Sequence, residues 1–175
     1  MHKFYPKQYY FINKFDKDII KKQSKKTALI FRNYSNKINE GEIISIRDFC
    51  RKLKLTFVLS NDIKCALKLK LDGAYIPSFN KETKHLSFNL PLNFLIIGSA
   101  HNLKEIRQKE VQGVEFLFIS SIFKKKKNYL GLYKFKLISK LSLKKVIALG
   151  GITKNNIKKL NLTNCFGFAG ISFFE

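Results

Sequence analysis

Cysteine, histidine and acidic side chains are scarce in this chain. The three cysteines, Cys50, Cys65 and Cys165, stand far apart and form no CxxC pair. An odd number without a pairing pattern does not make a disulfide framework; it suits small buried residues in a reducing cytosol. Three histidines are too few for a zinc site. His2 is terminal, His85 lies in a polar stretch, and only His101 has an informative context. No apolar run is long enough to span a membrane, and Met1-His2-Lys3-Phe4-Tyr5-Pro6 lacks the apolar core of a secretion signal. The expectation is a cytoplasmic protein with no membrane segment. Acidic residues number 12 against 34 Lys and Arg, a formal net charge of +22. Alone, that favours a polyanion partner. However, the excess is scattered Lys, accompanied by abundant Ile, Asn and Phe, residue types that share A/T-rich codons. Specific nucleic-acid binding is therefore disfavoured. The one dense basic cluster is Lys124-Lys125-Lys126-Lys127.

What is present is a recurring apolar run of strand length. The 175 residues are 45% hydrophobic, enough for a single domain spanning 1–175 with a sizeable core. The runs are Gln8 to Asn13, Thr27 to Arg32, Thr56 to Asn61, Gly73 to Pro77, Phe94 to Ser99, Glu115 to Ser120, Val146 to Ile152 and Phe166 to Ser172. Their hydrophobicity is continuous rather than alternating, which marks strands covered on both faces. Helices are predicted over Asp16 to Lys26, over Ser45 to Leu53 with Ser45 as N-cap, from Asn102 to Gln112 with Gly113 as its stop, and over Asn155 to Leu160. This alternation predicts a compact α/β (β/α)8 TIM barrel, with an open doubly wound sheet as the other architecture. The barrel is short of the usual minimum of about 200 residues. It would lack the final helix, since only Phe173 to Glu175 follow the last run. The outer face of the last and first strands would then be bare, and a homodimer is expected to cover it.

The last two runs carry the clearest functional signal. One ends in Gly150-Gly151, the other in Gly170-Ile171-Ser172, and a short Lys- and Asn-rich segment lies between them. In parallel α/β barrels the loops after strands seven and eight commonly bind phosphate through backbone amides. A side chain there would hold phosphate oxygens away, which predicts glycine. A phosphorylated ligand is expected.

Several motifs, in order, resemble the family of thiamine phosphate synthase and its relative TenI, a thiazole tautomerase. Leu59-Ser60-Asn61-Asp62 resembles I-I-N-D, and Leu71 to Ile76 resembles A-D-G-V-H-L. Ile96 to Asn102 resembles I-I-G-x-S-x-H, one residue shorter, Val146 to Ile152 resembles V-x-A-I-G-G-I, and Phe168 to Ser172 resembles G-V-A-V-x-S. The resemblance implies transfer of an aminopyrimidine from its pyrophosphate onto thiazole phosphate, with Mg2+. By the same resemblance, Arg32, Asn61, Ser99 and His101 are candidate catalytic residues. Gly150, Gly151, Gly170, Ile171 and Ser172 are candidate phosphate-binding residues, and Asp62 is the candidate metal ligand. The departures matter. The family's Gln and Lys around the strand-two arginine are Ile30 and Tyr34 here, its His is Tyr75, and its second metal carboxylate is Asn80. The loop after strand six carries Lys124–Lys127, read first as a solvated basic loop, the alternative being that one lysine replaces the missing pyrophosphate contact. The tautomerase histidine of that loop aligns with Ser121. Three functions remain in play: a reduced synthase, which is favoured; a TenI-like tautomerase or non-catalytic binder; and a basic, nucleic-acid-associated scaffold.

Overall fold

The computed structural model describes residues 5–34, 39–125 and 127–175. Eight parallel strands close into a barrel in chain order: β1 (Gln8–Ile12), β2 (Thr27–Phe31), β3 (Thr56–Ser60), β4 (Gly73–Ile76), β5 (Leu95–Ala100), β6 (Phe116–Ser120), β7 (Lys145–Leu149) and β8 (Gly167–Gly170). β8 pairs back onto β1, with Gly170 opposite Tyr10. Closure rules out the open doubly wound sheet, which would leave an unpaired edge.

The strands are apolar throughout because each has two buried faces. Tyr9 and Phe11 of β1 point into the barrel, while Tyr10 and Ile12 belong to the outer layer beneath the helices. Large rings fill the interior. Tyr9 packs edge-on against Phe118 with centroids 4.9 Å apart, and Phe11 packs against Tyr75 at 5.4 Å. Ala28 and Ala169 on neighbouring strands leave room for them.

Among the described residues five α-helices lie outside: α1 (Lys17–Lys21), α2 (Glu40–Leu53), α3 (Ile63–Lys68), α4 (Leu103–Val111) and α5 (Gly131–Lys140). α1 is shorter than predicted, and Asp16 caps it by accepting the amides of Asp18 and Ile19. The predicted Ser45 cap is corrected. Asn39 caps α2, and Ser45 lies inside it, its hydroxyl donating to the Gly41 carbonyl at 2.9 Å. The polar start Asn39-Glu40-Gly41 hid this first turn, where acidic side chains favour the helix N-terminus. The helix expected at Asn155 to Leu160 is instead a 3-10 helix at Ile157–Leu162. α4 matches its prediction, with Asn102 as cap and Gly113 at φ 70° just beyond its end.

Among the described residues no helix follows β8. The tail folds back instead. Phe173 packs on Phe168 at 4.6 Å and Phe174 on Tyr10 at 4.9 Å. Tyr10 is only 2% exposed and Phe168 9%. The face expected to be bare is covered by the chain itself, so the argument for a homodimer falls away. Cys50 and Cys65 are buried free thiols, as expected, and burial pushes Cys50 up to about 12.

α4 also buries a cation. Lys109 is fully buried, and its Nζ donates to the Asn80 carbonyl at 2.6 Å and to Gln112 Oε1 at 2.8 Å. Burial lowers its pKa from 10.5 to about 8, against the opposing pull of Glu105. Between those values the unfolded chain holds a proton that the folded chain has released, so raising the pH favours folding. Relative to Lys109→Met, the native protein is expected to gain up to roughly 3 kcal/mol from pH 8 to 10.5. Denaturant titrations of both proteins across that range check this; parallel pH profiles would contradict it.

Candidate functional site

The C-terminal ends of the strands open into a cleft of about 470 Å³. Arg32 reaches it from the end of β2, Ser99 and His101 from β5, Gly150 and Gly151 from β7, and Gly170, Ile171 and Ser172 from β8. These predicted residues come together. Asn61 and Asp62 do not. They line a neighbouring cleft of about 700 Å³. Tyr34 and Phe79 line both clefts and stand between them, their rings edge-to-face at 5.7 Å. Tyr34 is further fixed by a 2.8 Å hydrogen bond between its hydroxyl and that of Ser60.

Each side chain has a physical reason for its place. The Arg32 guanidinium carbon lies 4.6 Å from the Phe11 ring centroid, a cation–π contact that holds the charge over the barrel mouth. Arg32 has no ion-pair partner among the described residues, so its charge faces the cleft. Tyr75 is buried, and that raises its phenol well above the usual range, so it stays neutral and hydrogen-bonds the Ser99 side chain. The Ser99 hydroxyl is therefore already shared. The His101 Nδ1 lies 2.9 Å from Glu105 Oε2.

The glycine tips adjoin one another as expected, but the stated need for glycine is corrected at two of them. A Cβ on Gly150 would sit 2.5 Å from Ser121 Oγ, and one on Gly151 2.6 Å from the Lys124 amide nitrogen. Both residues have positive φ, 105° and 75°. Glycine is required there first by the close approach of the loop after β6, whose Phe123 and Lys124 amides donate to the Gly150 carbonyl. Gly170 differs: a Cβ there would meet only the Ile152 carbonyl oxygen, at 3.9 Å. The amides of Gly151 and Ser172 have no hydrogen-bond partner among the described residues. Of the basic run, Lys124 and Lys127 line the cleft, while Lys126 lies outside the described residues.

Asp62 caps α3, its Oδ1 accepting the Cys65 amide at 2.8 Å. Asn80, at the position of the second expected carboxylate, donates from Nδ2 to Asn61 Oδ1 at 2.8 Å. Asn61 itself has a φ of 65° and donates its amide to the Tyr75 carbonyl. No group of three or more His, Cys, Asp or Glu that could hold a metal occurs among the described residues. Of the two positions matched to metal carboxylates, Asp62 alone carries one, and its Oδ1 is already taken up by the α3 cap.

Sequence reasoning missed Glu105, the Tyr34–Phe79 wall and Lys109. Glu105 had a signal, the Asn102-x-x-Glu105 capping pattern. The others depend on side chains from separate loops and helices meeting in space.

A closed parallel barrel with a cationic, glycine-edged cleft at the C-terminal ends of its strands is an α/β barrel whose cleft lies on the face where such barrels carry their sites. The model of the thiamine monophosphate synthase and TenI family matches residues 20–174, and the chain belongs to that family. Membership places it in thiamine biosynthesis. It is 30% identical over 155 residues to the thiamine-phosphate synthase of Methanococcus vannielii, covering 83% of this chain and 73% of that one. It is 29% identical over 151 residues to the thiamine-phosphate synthase of Helicobacter pylori strain Shi470, covering 79% and 68%. The fold superposes on thiamine phosphate pyrophosphorylase from Pyrococcus furiosus with a TM-score of 0.78 at 23% identity, covering 95% and 85%. Among the described residues no helix is long and apolar enough to cross a membrane.

Proposed function

We propose that the chain is an enzyme, a thiamine-phosphate synthase acting as one domain in the cytoplasm. The observation that carries this reading is that Arg32 and the glycine tips of β7 and β8 share one cleft. Thiazole phosphate docks on the amides near Gly151, Gly170 and Ser172, with Ile171 and Gly150 shaping the wall. Arg32, Lys124 and Lys127 neutralise the pyrophosphate of the aminopyrimidine, the task on which loss of that group depends. The thiazole nitrogen lone pair forms the new bond to the pyrimidine methylene carbon. The carbon–oxygen bond breaks, and its electron pair leaves with pyrophosphate. Asp62 would hold magnesium, which when bound would supply charge neutralisation for the leaving pyrophosphate. Ser99, held by Tyr75, and Asn61, held by Asn80, orient the ligand.

The test is direct. Purified protein given both phosphorylated precursors, with and without magnesium, is expected to form thiamine phosphate. One observation favours a second reading, a TenI-like tautomerase or binder: Asn61 and Asp62 stand behind Tyr34 and Phe79, away from Arg32. Retained binding of thiazole phosphate with no product would put that reading first.

A further inference from the structure

The cleft holds a histidine whose protonation geometry is set by a residue outside it. Glu105, in the first turn of α4, receives three donors. The His101 amide lies 2.8 Å from Oε2, His101 Nδ1 2.9 Å from the same oxygen, and Asn102 Nδ2 2.9 Å from Oε1. The Glu105 amide is itself held by Asn102 Oδ1 at 3.0 Å. The carboxylate is thus tethered at both ends and to its own helix. An ionised carboxylate only accepts hydrogen bonds, so the proton of a neutral imidazole must sit on Nδ1. Nε2 then carries a lone pair. It has no hydrogen-bond partner among the described residues, and the ring lines the cleft.

We propose that Glu105 is a positioning residue that locks His101 in the Nδ1–H tautomer, so that Nε2 accepts a hydrogen bond from an N–H group of the ligand and does not contact phosphate. Phosphate oxygens accept, and two facing acceptors repel. A ring amino group donates, and the aminopyrimidine carries one, whereas the thiazole ring does not. His101 therefore reads the pyrimidine, and the phosphates are left to Arg32, the lysines and the glycine amides. The choice of ligand rests on the synthase reading; the tautomer does not.

Two-bond 1H–15N spectra of protein labelled at histidine nitrogens, at pH 8, test both parts. The native protein is expected to show His101 with a protonated Nδ1 and an unprotonated Nε2. Glu105→Gln, which keeps an acceptor, retains this pattern; Glu105→Ala shifts it toward Nε2–H. Unphosphorylated hydroxymethyl-aminopyrimidine is expected to move the Nε2 resonance, and pyrophosphate alone is not. An Nε2–H tautomer in the native protein, or no change in Glu105→Ala, overturns the positioning role. A response to pyrophosphate without one to the aminopyrimidine overturns the ligand assignment and leaves the synthase reading standing. A response to the aminopyrimidine in a protein that forms no product removes catalysis and upholds the proposal.

Discussion

Arg32→Ala is expected to lower thiamine phosphate formation by roughly 100- to 1000-fold, a loss of about 3–4 kcal/mol in transition-state stabilisation. Arg32 is the one predicted cation that a strand end delivers into the cleft, and its stack on Phe11 fixes where the charge sits. The family's neighbouring Lys is Tyr34 here, and its hydroxyl is bonded to Ser60 instead of facing an anion. Less cationic help remains beside Arg32, so its removal should be felt more strongly. Lys124 and Lys127 are exposed, so solvent screens their charges. Truncating either should cost less, about 10-fold. Steady-state kinetics of the three variants check the order. A lysine variant more damaging than Arg32→Ala would move the pyrophosphate site to the loop. Arg32 packs at the surface of the ring cluster, so its loss should leave the melting temperature nearly unchanged.

The glycines offer the second large effect, because they separate packing from binding. Gly151→Val is expected to destabilise the fold by roughly 2–4 kcal/mol, since it combines a positive φ with a clash against the Lys124 backbone. Loss of ligand protection in that variant would say little about a phosphate cradle. Gly170→Ala is the informative change. The added methyl meets nothing closer than 3.9 Å within the protein, so stability should hold. Yet it stands beside the amides assigned to thiazole phosphate, and its affinity should fall at least tenfold, near 1.4 kcal/mol or more. Thermal-shift titration reads both quantities in one experiment. An unstable Gly170→Ala, or one that binds as well as the native protein, contradicts the assignment.

The fold was legible where one physical signal dominated. Runs such as Thr27 to Arg32 and Phe94 to Ser99 are apolar on both faces, and only a sheet covered on both sides accounts for that. α3 and α5 were not legible. The first has six residues, and its Asp62 cap was read as a metal ligand; the second starts at Gly131 with no side-chain cap. The bare outer face expected for β8 and β1 failed because Phe173 and Phe174 looked like a tail when they are a cover. At the site, the glycine tips, Arg32, Ser99 and His101 were legible through motif order. Their division from Asn61 and Asp62 was not, because Tyr34 and Phe79 come from loops 45 positions apart and meet only in the folded chain. The burial of Lys109 was equally hidden. Its neighbours Gln108 and Glu110 mark a polar helix, while its partners are Gln112 and a carbonyl of the loop after β4.

The central claim is that main-chain amides at the ends of β7 and β8 hold a phosphate. Titrating 15N-labelled protein with thiazole phosphate and following each backbone amide tests it most directly. The account predicts the largest shifts at Gly151 and Ser172, with downfield movement as these partnerless amides gain an anionic acceptor. Shifts confined to residues 124–127, with those two amides unmoved, would contradict it.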